Sequence, residues 1–209
     1  MIGRIIETEA DVAEGAEWLA AYDPRFAMAL EQCGPLPLRR REDGFRELLS
    51  AITSQQLSVA SANSIWARME AAGMCDPEPL LNASDEELRA CGFSRQKIGY
   101  AKDLAAADLD YEGLRSLSSN EVVSQLVAIR GIGAWTAEIY VMFSLGRADI
   151  FAPGDLALQE AARVLFDLGE RPKEKALREM AEDWSPWRSV AARLLWAYYR
   201  VEKEREGIR

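Results

Sequence analysis

No histidine occurs anywhere in this sequence. That absence removes serine–histidine triads, histidine general bases and nearly all histidine-ligated metal sites, so any chemistry must rest on carboxylates, hydroxyls, lysine or aromatic groups. Cysteine is scarce. Cys33, Cys75 and Cys91 are odd in number and widely spread, with no Cys-x-x-Cys pair, which suggests neither a disulfide framework nor a zinc site. No apolar run approaches membrane-spanning length, and the opening Met-Ile-Gly-Arg-Ile-Ile-Glu-Thr-Glu-Ala-Asp lacks the apolar core of a signal peptide. The expectation is a soluble, cytoplasmic protein with no membrane partner. Positive charge is short too: 25 Lys and Arg face 34 Asp and Glu, a net charge of -9. That balance counts against a polyanionic partner, because binding to a phosphate backbone normally draws on clustered bases. Part of the excess is local, since the first 31 residues hold seven acids and two bases.

What is present reads as helix throughout. Val12, Ala16, Leu19, Ala20, Phe26 and Leu30 recur at helical intervals among acids, which predicts one or two amphipathic helices before Gly34-Pro-Leu-Pro37 breaks the pattern. Phe45 to Met69 predicts one or two more, with Phe45, Leu48, Leu49, Ile52, Val59, Ile65 and Trp66 inward. The polar cluster Thr53-Ser-Gln-Gln56 interrupts them; spacing leaves open whether it is an ordinary loop or a set of side chains presented to a partner. Asp76-Pro-Glu-Pro79 marks a boundary. Ser84 and Glu87 form a capping box for a short helix ending near Cys91-Gly92, and Ser94 caps the next, which carries Lys97 and Tyr100. A helix follows Asp155 as far as Gly169, Arg171-Pro172 separates it from one ending near Trp184, and Ser185-Pro186 starts a last helix through Trp196 and Tyr199. With no alternating pattern of any length, the fold class is all-α.

The stretch Leu126-Val-Ala-Ile-Arg-Gly-Ile-Gly-Ala-Trp-Thr-Ala137 carries the strongest local signal. Ser118 and Glu121 form a capping box ahead of it, and the helix they open should stop at Arg130. Gly131 can take the left-handed conformation that ends a helix, and Gly133 removes a side chain where the chain turns into a second helix, Ala134 to about Ser144. Two glycines around one apolar residue leave loop amides bare beside a helix amino end. Such a nest suits a phosphate oxygen and would hold a nucleic-acid backbone without reading sequence. The same Gly-x-Gly also serves as a plain C-cap and tight turn, and the motif alone does not decide. Asp155, after Phe151-Ala-Pro-Gly154, is an N-cap candidate, and helix-terminal amides favour a charged carboxylate there.

Together, these stretches resemble the helix-hairpin-helix DNA glycosylase superfamily. Phe45-Arg-Glu-Leu-Leu-Ser-Ala-Ile-Thr-Ser-Gln-Gln-Leu-Ser58 and Trp184-Ser-Pro-Trp-Arg-Ser189 look like its 3-methyladenine DNA glycosylase II branch, in a short form, and the matches run from about Phe45 to Trp196. The resemblance implies two helical lobes with a helix-hairpin-helix motif and an interlobe active-site cleft, one lobe of about residues 45–144 and the other of 1–44 plus 145–209. It implies a monomer acting on damaged double-stranded DNA, releasing alkylated purines. Asp155 would be the catalytic residue. Gly131, Ile132, Gly133 and Thr136 would meet the DNA backbone, Trp135 and Trp196 would line the base pocket, and Gln56 would wedge into the stack of a flipped-out base. Trp66, Trp184 and Trp187 read as core. Trp135 stands where strand-cutting relatives carry a lysine, so base release without strand cleavage is expected. No cofactor is required. A monovalent cation at the hairpin loop is the one inorganic ligand the resemblance allows, and an iron-sulfur cluster, which takes four cysteines in some relatives, is ruled out by the count of three. Ile139 and Ala197 stand where the best-known branch has other residues, an aromatic in the case of Ile139, so the resemblance leaves the range of accepted bases open, with uracil or hypoxanthine as alternatives. A non-catalytic DNA-binding module is the alternative from a different class.

Overall fold

Helix starts in this chain are set by side-chain oxygens placed just ahead of apolar periodicity. The computed structural model describes residues 2–205, the last by its backbone only. Thr8 caps α1 (Glu9–Tyr22) in a box closed by Asp11, and Asp23 caps α2 (Pro24–Cys33), where Pro24 occupies the first turn without losing a needed amide. Then come α3 (Phe45–Ser54), α4 (Val59–Ala71) capped by Ser58, α5 (Pro77–Asn82), and α6 (Asp85–Ala90) with the predicted Ser84–Glu87 box. Ser94 caps α7 (Arg95–Ala106) and Asp110 caps α8 (Tyr111–Leu114). The Ser118–Glu121 box opens α9 (Ser119–Val127), followed by α10 (Ala134–Phe143), α11 (Leu156–Leu165) and α12 (Glu174–Met180). A 3₁₀ turn (Ala181–Trp184) leads to α13 (Arg188–Arg205). Among the described residues there is no strand, only an antiparallel bridge between Ile5 and Arg147.

The chain divides into two compact units. One is continuous, from Arg41 to Tyr140, and holds α3 to α9 with the start of α10. Its packing converges on α7, which touches α3, α5 and α6, and its core includes Leu48, Leu49, Ile52, Leu80, Leu88, Leu104 and Val122. The other joins the residues up to Arg40 to those from Val141 onward, with α1, α2 and α11 packed on α13. Its centre is aromatic. Trp184 meets Phe151 edge-on at 5.3 Å and Phe26 at 5.5 Å, and stacks on Phe166 at 5.7 Å. In the same unit Arg193 is 1% exposed, its donors spent on the carbonyls of Leu38 and Ser189 and on the Ser189 hydroxyl, its guanidinium 4.8 Å over Phe143. Burial pulls that guanidinium down to about 10, because charge is disfavoured away from water.

Several details differ from the sequence reading, among them the end of α11 at Leu165 rather than Gly169. The first hairpin helix ends at Val127, not Arg130, because Ile129 N–H closes a tighter bond to the Leu126 carbonyl at 3.1 Å. Asp76–Pro79 is the start of α5 rather than a plain boundary, since proline at a first helical turn costs no hydrogen bond. Val59 is 78% exposed: at the first position of α4 it lies beyond the reach of the core that takes Ala62, Ile65 and Met69. The last helix begins at Arg188, two residues after Pro186.

Candidate active site

The hairpin is held from behind. Gly131 has φ +98°, a conformation that favours glycine, and a Cβ there would run into the Tyr100 ring on α7. Ile129 and Ile132 are buried, and Ile132 N–H turns inward to the Ile129 carbonyl at 3.1 Å. The loop peptide between Gly131 and Ile132 is fixed on its other side as well: Gln55 Nε2 donates to the Gly131 carbonyl at 2.8 Å. Ile132 therefore anchors the loop. Gly133 differs from Gly131. Its φ is not positive and a Cβ there would meet nothing within 4 Å, so no contact within the chain demands glycine. Ala137 N–H bonds back to the Gly133 carbonyl at 3.0 Å and closes the first turn of α10, whose leading amides have no partner further back within that helix. Thr136 lies in that turn with its side chain buried, which leaves its amide as the group that could meet a DNA backbone.

Trp135, one residue earlier, is 46% exposed. Gln56 is exposed as well and sits at φ +57°, outside the range most side chains prefer, at the tip of the turn between α3 and α4. Leu57 follows it, 40% exposed. Lys97 from α7 closes the base of this turn, donating Nζ to the Thr53 carbonyl at 2.5 Å, and partial burial lowers the pKa of its ammonium. The Thr53–Gln56 break is thus a structured turn tied to the hairpin by Gln55. Sequence reasoning placed Lys97 and Tyr100 on their helix and Gln55 in the polar cluster but gave none of them a role at the hairpin. Two adjacent glutamines at a helix end carry no sign of which one faces inward.

Asp155 stands at the amino end of α11, as its N-cap, with Oδ1 accepting from Ala157 N–H at 2.9 Å and Leu158 N–H at 3.1 Å. The loop before it is pinned at both ends: Phe151 and Ala152 are buried, and Gln159 Nε2 donates to the Pro153 carbonyl at 2.8 Å. The carboxylate is half-buried rather than sealed in the core. Trp196 belongs to the same unit. It rests on Phe143 at 5.9 Å, and the Arg39 guanidinium lies 6.0 Å from its ring. Trp184 and Trp187 are core residues as read, while Trp66 is half-buried under Arg46.

A monovalent cation at the hairpin would need loop carbonyls, and those of Ile129, Gly131 and Gly133 each already accept a hydrogen bond. Each of these oxygens keeps a second lone pair, and no step is assigned to a cation. Among the described residues no His, Cys, Asp and Glu cluster could hold a metal ion, and no helix is long and apolar enough to cross a membrane.

Comparison with known proteins gives a consistent picture. The family described as HhH-GPD superfamily base excision DNA repair protein matches residues 49–186. DNA-3-methyladenine glycosylase 1 of Schizosaccharomyces pombe is 33% identical over 165 residues, covering 75% of this chain and 72% of that protein. Among solved structures, a DNA-3-methyladenine glycosidase from Bacillus halodurans superposes with a TM-score of 0.81 at 34% identity, covering 98% of this chain and 95% of the other. The S. pombe 3-methyladenine DNA glycosylase in complex with abasic DNA gives a TM-score of 0.74 at 31% identity, covering 88% and 95%.

Proposed function

This chain belongs to the HhH-GPD superfamily of base excision DNA repair proteins, and from that premise we propose that it hydrolyses the N-glycosidic bond of alkylated purines in DNA without cutting the strand. It is a DNA N-glycosylase. The observation that carries the finer reading is Asp155: a half-buried carboxylate fixed by two amides through Oδ1, on a loop braced at Phe151 and Pro153. Alkylation at N3 of adenine or N7 of guanine leaves the base cationic, so it departs without a proton from the enzyme. That chemistry needs no general acid and suits a chain without histidine. As the bond stretches, positive charge grows on the deoxyribose. A carboxylate about 4 Å away at an effective dielectric near 20 stabilises that charge by about 4 kcal/mol, roughly a thousandfold in rate. Asp155 supplies this field and orients or deprotonates the attacking water, while the amides from Gly133 onward hold a backbone phosphate. Trp135 and Trp196 offer ring faces to the extrahelical purine, Gln56 fills the space it leaves, and the protein acts as a monomer.

One observation favours the second reading, release of a neutral base such as uracil or hypoxanthine. Arg39 already lies near the Trp196 ring, and a cationic purine on that ring would share its electron density with a second cation. A panel of single-lesion duplexes separates the two substrates.

The decisive experiment is base release from methylated duplex by the wild type and by Asp155→Asn. Asparagine caps a helix about as well as aspartate, so stability should hold while release falls about a thousandfold and binding to abasic DNA changes little. Undiminished release by the variant sinks the mechanism. Borohydride reduction during turnover should trap no covalent adduct, because Trp135 has no amine to form a Schiff base.

A further inference from the structure

Gln55 and Gln56 are neighbours in sequence with opposite fates. Gln56 is exposed at the turn tip, whereas the Gln55 amide reaches across 76 positions of sequence to the Gly131 carbonyl at 2.8 Å. That carbonyl belongs to the peptide whose N–H is bonded to Ile129, so one hydrogen bond links the hairpin loop directly to the exit of α3. Around it, α7 supports both partners: Lys97 holds the Thr53 carbonyl on the α3 side and Tyr100 closes on Gly131 on the hairpin side. We propose that Gln55 is a positioning residue that couples the phosphate-binding hairpin to the Gln56 tip, so that seating the DNA backbone and occupying the space of a flipped base become one event. The inference rests on the roles proposed above for the hairpin and for Gln56.

The physical argument is preorganisation. The 131–132 peptide is next to a glycine, the residue that least resists rotation, and without the Gln55 donor its carbonyl loses the hydrogen bond that ties it to α3. Gln55 supplies that donor from the segment that continues into Gln56. A phosphate seated against the loop therefore finds the tip already in place, and the entropy of ordering the two together is lost in folding rather than in binding.

Single-turnover release from a methylated duplex and affinity for abasic duplex test the coupling, with melting temperature measured alongside. Gln55→Ala should slow release about fivefold to tenfold, the effect of one hydrogen bond, with the fold intact. In a Gln56→Ala background the same change should cost less than about twofold, because the tip it positions is gone. Gln55→Glu keeps the shape but replaces the donor with a carboxylate facing a carbonyl, and should be at least as slow as Gln55→Ala at neutral pH. Wild-type rates in Gln55→Ala and Gln55→Glu overturn the proposal, as do losses that simply multiply with Gln56→Ala or that track a fallen melting temperature. A wild type that releases no base overturns the functional reading and this inference together. An active wild type with unaffected Gln55 variants overturns the inference alone.

Discussion

The two glycines of the hairpin look alike in sequence and do different things. Gly131 is required by the protein's own structure, through its φ of +98° and the Tyr100 ring against it. Gly131→Ala should cost at least about 1–2 kcal/mol from the backbone alone, read as a lower melting temperature, before the ring is displaced. Gly133 answers to no neighbour in the chain. Gly133→Ala should leave melting unchanged or slightly raised, since it only restricts the unfolded chain, while weakening affinity for any duplex because a methyl enters the approach of a phosphate. A lowered melting temperature without lost affinity would contradict the assignment of Gly133 to the interface. At this scale the sequence is legible where a residue's duty is local. Asp155 announces itself as a cap from its flanking Pro-Gly and the helix behind it. Gln55 could not be told from Gln56, because its partner lies 76 positions away and nothing local encodes that.

Helices declare their starts better than their ends. The boxes at Ser84 and Ser118 are where a Ser-x-x-Glu spacing puts them, but the box at Thr8 uses Asp11 as its third residue and escapes that pattern. The end of α9 at Val127 depends on the tight bond between Ile129 and Leu126, which no periodicity records. Because α9 delivers the hairpin, its cap has a functional reach. Ser118→Ala should destabilise by about 1 kcal/mol, read in chemical denaturation. Glu121 accepts from the Ser118 hydroxyl and then from its amide, and both hold its carboxyl below the usual glutamate range. A depressed folded pKa means a contribution present above the unfolded value of about 4.3 and lost as pH falls through the folded one. Glu121→Gln, which keeps the acceptor and removes the charge, should melt lower than wild type at pH 7. The gap should close as the pH drops below about 4. A gap that persisted in acid would mean the effect is not ionic.

For the whole molecule, the net charge of -9 sets the terms of DNA binding. Many bases of the hairpin-bearing unit are already committed to acids: Arg115 grips Asp43 at 2.7 and 3.0 Å, Arg130 meets Asp103, Lys102 meets Asp85, and Arg46 meets Glu70. Grip must then come from oriented amides, which release few counterions. The logarithm of the binding constant should fall with that of salt at a slope of about -2 to -4, where a phosphate-gripping surface of six or more contacts would give a slope steeper than about -5. A steep slope would show that these ion pairs open to meet DNA.

The bracing of the Asp155 loop has a last consequence for endurance. Phe151, four residues before the carboxylate, is wedged against Trp184, which also meets Phe26 and Phe166, so the loop is fastened to the aromatic cluster of its unit. A loop moored there, carrying the carboxylate proposed to act on the sugar, does not come loose without disturbing that cluster. Warmed stepwise, the protein should keep its catalytic competence until the tryptophan fluorescence signalling collapse begins to change, and the two curves should descend together rather than activity fading first.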